Sequence, residues 1–98
     1  MRLKRARLEA GLSQEGLGVL VDIDEFSASA RMNQYEKGTH APSFDLMVRI
    51  ASVLGVPVEY FYAPSEESAQ LILRFHQLGV NERQAVLDLM EQLRDPIK

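Results

Sequence analysis

The chain has 98 residues, 46% of them apolar, and a formal net charge of −3. That length allows one domain with a modest core, and the net negative charge excludes a dominant basic field for holding nucleic acid. There is no cysteine, which rules out a disulfide framework and thiolate chemistry and suits a cytoplasmic setting.

Residues 2–10 read as a first helix with Leu3, Arg7 and Leu8 on one side and Gly11 as its stop. No evident cap precedes it, so its start is expected to fray. The segment is basic, with Arg2, Lys4, Arg5 and Arg7 together, but no apolar signal core follows. Ser13 is a good N-cap for a second helix on which Leu17, Leu20 and Val21 share a face. Gly16 and Gly18 each weaken that helix by about 1 kcal/mol relative to Ala, or permit close approach of another element. Ser27 is the candidate cap of a third helix carrying Ala28, Met32 and Tyr35 at helical spacing, and Gly38 supplies its left-handed stop.

After the loop Thr39–Pro42, Ser43 caps a fourth helix whose stripe is Phe44, Met47, Val48, Ala51 and Leu54, widened by Leu46 and Ile50. Gly55 ends it. A short fifth helix follows, with Pro57 near its start and Pro64 closing it. The expected core of these elements is Leu12, Leu17, Leu20, Met32, Leu46, Ile50, Leu54 and Phe61. From Ser65 the character changes. Acidic Glu66 and Glu67 open a sixth helix ending at Gly79, and Asn81 is expected to cap a last helix running to Pro96. Residues 63–98 hold four Lys/Arg against six Asp/Glu, so this part is acidic. The two helices are expected to close as a hairpin. Two helices cannot bury two wide apolar stripes between them. Leu71, Ile72, Phe75, Leu78, Val86, Leu89, Met90 and Leu93 are therefore expected to form a dimer contact.

The second and third helices with their short joint are a helix-turn-helix candidate. The exposed side of the third carries Ser29, Arg31, Asn33 and Gln34 in place of the usual Glu/Lys mixture. Amides of Asn and Gln pair with an adenine edge, and Arg pairs with guanine. The same residues are equally compatible with a solvated polar face.

Leu3 to Arg7, Gly11-Leu12-Ser13-Gln14-Glu15, Tyr35-Glu36-Lys37-Gly38, Pro42-Ser43, and Leu54-Gly55-Val56-Pro57 with Tyr60-Phe61 occur in that order over about three-fifths of the chain. The ordered set resembles the phage-repressor-like helix-turn-helix family, also called the XRE or Cro/repressor family. The resemblance implies an all-α, five-helix DNA-binding domain working as a homodimer on a two-fold-related operator. It implies a phosphate contact for Gln14 and base-facing positions for Ser29, Ala30 and Gln34, flanked by Arg31 and Asn33. Lys37, Thr39, His40 and Ser43 fall where the loop after the third helix meets the DNA backbone. Arg7 and Glu36 match a partly buried ion pair between the first and third helices. Between Ser13 and Glu36 the chain is longer than the family's usual spacing by about four residues. The excess falls around Val21–Phe26, where the usual Gly-containing turn is missing, and leaves the start of the recognition helix open. Phe26 is expected to pack where the family has an apolar turn residue.

Asp22, Asp24 and Glu25 suggest a calcium loop only superficially, because Ser27 and Asn33 stand where an EF-hand needs Gly and Glu. His40 and His76 are far apart and lack metal-ligand spacing. Neither a nucleophile elbow nor a phosphate-binding loop is present. The expected protein is thus not an enzyme and has no cofactor, metal, membrane segment or evident small-molecule effector. The expected layout is a five-helix DNA-binding domain over 1–63 and a dimerising hairpin over 64–98. The expected function is sequence-specific binding of a palindromic double-stranded operator as a transcriptional regulator, with repression as the default. The alternative is an antitoxin-like or scaffold module that uses the same fold to bind protein.

Overall fold

The computed structural model describes residues 2–94. Seven helices follow one another: α1 (Arg2–Glu9), α2 (Gln14–Leu20), α3 (Glu25–Lys37), α4 (Phe44–Leu54), α5 (Glu59–Tyr62), α6 (Glu66–Gln77) and α7 (Val80–Leu93). No strand occurs among the described residues. The expected helix end at Pro96 lies outside them.

Local chemistry sets most of the boundaries. The hydroxyls of Ser13, Ser43 and Ser65 accept from the N–H groups of Gly16, Leu46 and Ser68, which satisfies an otherwise free donor at each helix start. Gly38 and Gly55 end α3 and α4 in the left-handed region, at φ 79° and 73°. Two expected caps are wrong. Asp24, not Ser27, caps α3 by accepting from the Phe26 N–H at 3.1 Å, so α3 starts earlier than its apolar spacing indicated. At α7 the cap position is Gly79, and Asn81 lies inside the helix.

The main core joins Leu3, Leu17, Val21, Met32, Leu46, Met47 and Ile50, with Leu12, Leu54 and Phe61 half-buried around it. Leu20, expected in this core, is exposed. The reason is Gly18. A Cβ built there would stand 2.6 Å from the Ala28 Cβ, so α3 approaches α2 on the Gly18 side. The buried face of α2 thereby becomes Leu17, Gly18 and Val21, which turns Leu20 outward. On α4 the buried positions are Leu46, Met47, Ile50 and Ala51, whereas Phe44 and Val48 are exposed. The Phe44 ring leans toward Tyr62 instead, with 6.1 Å between centroids.

A second cluster contains Ala6, Tyr60, Ala63 and Ala69, with Ile72 and Leu73 packed against it. It fastens α6 to α5 and α1, reinforced by Arg2 Nη1 donating to the Ala63 carbonyl at 2.9 Å and by Arg5 paired with Glu66 at 2.8 Å. Ile72, half-buried, thus packs against its own chain. The closed hairpin is not seen. No residue of α7 is buried, and Arg83 joins the two helices at their junction by donating to the carbonyls of Phe75 and His76. The radius of gyration, 16.5 Å, exceeds the ~13 Å of a compact chain this long. The principal extents, 59 × 26 × 21 Å, are those of an elongated molecule.

Candidate nucleic-acid interface

The joint between α2 and α3 is short. Val21 caps α2, and Asp22 takes φ 69°, the left-handed conformation a glycine would otherwise supply. The Ile23 N–H returns to the Gly18 carbonyl at 2.9 Å, and Arg49 from α4 reaches both the Val21 carbonyl and the Asp22 carboxylate at 3.3 Å. α2 ends at Leu20 and α3 starts at Glu25, so the joint is residues 21–24. α3 runs for 13 residues. No glycine stands in this turn, and Asp22 takes the left-handed conformation instead.

Behind α3 lies a network of polar side chains. Arg7 Nε and Nη2 donate to the two carboxylate oxygens of Glu36 at 2.5 and 3.2 Å, and Arg7 Nη1 donates to the Leu12 carbonyl at 2.8 Å. The two side chains are only 7% and 4% exposed. The bidentate geometry is the strong form of this contact. Gln14, at the start of α2, donates to Glu36 Oε1 at 3.1 Å and to Asn33 Oδ1 at 3.3 Å, and accepts from Ser29 Oγ at 3.4 Å. The ion pair therefore braces Gln14, and Gln14 braces two residues of α3.

The other expected positions sort by location. Ala30, Gln34 and Lys37 are exposed, in line with Ser29 and half-buried Asn33 at helical spacing along α3. Arg31 is exposed about a third of a turn off this line. Thr39 and His40 are exposed just beyond the helix, where Thr39 Oγ1 donates to the Gln34 carbonyl at 3.2 Å. Ser43 has already committed its hydroxyl to capping α4. Lys4, Gln14, Asn33, Lys37 and Thr39 border a single shallow hollow. Lys4 was legible only as part of a basic run, so its place there is a finding of the tertiary structure. The expectation that Phe26 packs inward is wrong. Its ring is 96% exposed on the first turn of α3. Among the described residues no cluster of side chains suited to a metal occurs. Asp22 is paired with Arg49, and Asp24 caps α3.

The helix-turn-helix domain family matches residues 1–60, more than half of the chain. The chain belongs to the helix-turn-helix domain family. Its fold is also similar to the crystal structure of the transcriptional regulator BswR, with a TM-score of 0.89 and 49% identity over 94% of this chain and 91% of that one. No curated protein sequence gives a significant match. α2, the short joint and α3 all lie within the matched residues. No helix among the described residues is long and apolar enough to cross a membrane.

Proposed function

We propose that this protein is a transcriptional regulator of the phage-repressor-like branch that binds double-stranded DNA by laying α3 in the major groove. The observation that carries the proposal is the braced face of α3. Ser29 and Asn33 are tied to Gln14, Gln14 to the buried Arg7–Glu36 pair, and Gln34 projects beside them. Preorganised side chains of this kind lose little freedom on binding. Gln34 and Asn33 are assigned to base edges, with Ser29 and Ala30 beside them and Arg31 on a phosphate or a guanine. Gln14, Lys4, Lys37, Thr39 and His40 are assigned to the DNA backbone, and the Ser43 turn presents N–H groups to it.

The molecule is proposed to act as a homodimer on a palindromic operator. Leu87, Leu89, Met90 and Leu93 are exposed on α7, and Leu71 is exposed on α6. Phe75, Leu78 and Val86 border an open groove beside them. An apolar surface of this extent marks an interaction site, and a two-fold contact is the commonest way for identical chains to cover one. It would place two recognition helices about one DNA turn, ~34 Å, apart. Occlusion of a promoter needs binding alone, so the proposed sign is repression.

The test is selection of bound duplexes followed by affinity measurement against salt. Counterion release should lower affinity by about 10³-fold or more between 50 and 200 mM salt if six or more phosphates are contacted. Gln34→Ala should relax preference at one position per half-site at a cost of about 1–3 kcal/mol. Gln14→Ala should weaken binding to every duplex through the lost backbone contact, and it should also relax preference at the positions read by Asn33 and Ser29, which it leaves unbraced. An unchanged site preference in Gln34→Ala would show the register to be wrong. Absence of any salt-dependent DNA binding would leave the protein-interaction module as the reading.

A further inference from the structure

Phe26 presents a phenyl ring almost wholly to water, and so forgoes the burial that normally stabilises such a side chain. A single exposed apolar residue needs no explanation by itself, but this one has a position. It is the second residue of α3, and Ala30, Asn33, Gln34 and Lys37 continue its line at i+4, i+7, i+8 and i+11. The Asp24 carboxylate holds its backbone N–H at 3.1 Å, so the ring projects from a fixed first turn. The N-terminal residues of a recognition helix are the ones that meet base edges.

The surroundings narrow what the ring meets. Asp24 and Glu25 precede it, and Asp22 lies in the adjoining joint with Arg49 against it. Carboxylates repel phosphate, so this turn is unsuited to the DNA backbone. A phenyl ring has no donor or acceptor for base polar atoms. The apolar feature that the major groove displays is the C5-methyl group of thymine. We infer that Phe26 is a specificity-determining residue that packs on a thymine methyl, one per half-site. The inference rests on the reading of α3 as the groove-entering helix.

Duplexes selected by the wild-type chain provide the probe. Each thymine is replaced singly by uracil, which deletes only the methyl group. Dissociation constants are then measured for the wild type, Phe26→Ala and Phe26→Leu. One uracil position per half-site should weaken the wild type about fourfold, the effect of one buried methyl-sized group. Phe26→Ala should bind thymine and uracil duplexes equally, and Phe26→Leu should retain part of the discrimination. The thermal midpoints of all three proteins should coincide, because the ring supports no core. The inference is overturned if no thymine is sensitive, if Phe26→Ala still discriminates, or if it weakens every duplex alike as a nonspecific wedge would. In those cases a shifted preference in Gln34→Ala keeps the groove reading standing. If the wild type selects no duplex and shows no salt-dependent binding, the groove reading itself fails.

Discussion

Glu36→Ala isolates the contact on which the candidate interface depends. In the folded chain the Glu36 carboxylate accepts from Arg7 through two nitrogens and from Gln14 through one. Truncation leaves a guanidinium with its bond to the Leu12 carbonyl as its remaining partner, at a side chain 7% exposed. Breaking a buried pair by removing one partner costs about 3–5 kcal/mol, because the other charge stays desolvated. For a domain of this size each kcal/mol lowers the thermal midpoint by about 4–8 °C, so a loss of about 12 °C or more is expected. The assay is thermal unfolding followed by far-ultraviolet circular dichroism, with urea titration alongside. The paired control is Arg7→Met with Glu36→Leu, which removes both charges and should recover most of the loss. A midpoint within a few degrees of the parent for Glu36→Ala would refute the reasoning. So would a double variant as unstable as the single one.

Gly18→Ala should destabilise by about 1–3 kcal/mol in urea despite the better helix propensity of Ala, because its new Cβ would meet Ala28 at 2.6 Å and α3 would have to move. The Glu66 carboxyl is held below its ordinary value by the hydrogen bond from Arg5. Its contribution is therefore present above the unfolded value of 4.5 and is lost as pH falls through the lower folded value. The stability difference between the parent and Glu66→Gln should shrink over that acid range, and a difference independent of pH there would contradict the pairing. Leu89→Glu with Leu93→Glu should yield a folded monomer by light scattering that binds a full palindrome more weakly but still recognises a half-site. Deleting residues 65–98 is a poorer test, since it would uncover Tyr60 and Ala63, which α6 packs against.

What was legible in the sequence was local chemistry. Ser13, Ser43 and Ser65 cap helices, and Gly38 and Gly55 end them, because each such choice depends on a few neighbouring backbone groups. The Arg7–Glu36 pair was legible through resemblance, and in the structure the two side chains meet. Tertiary structure decided the rest. Asp24, not Ser27, caps α3, because its carboxylate is the one that meets the Phe26 N–H at the helix start. Leu20 left the core because the near-contact of Gly18 with Ala28 rotated the buried side of α2. Ile72 turned inward because Tyr60 and Ala63 offered an apolar surface from elements distant in the chain. Phe26 faced outward because α3 reaches the core through Ala28, Met32 and Glu36, and its first turn extends past that contact. Periodicity records which residues share a face. The element that approaches closest determines which face is buried, and that approach is set by side chains far apart in sequence.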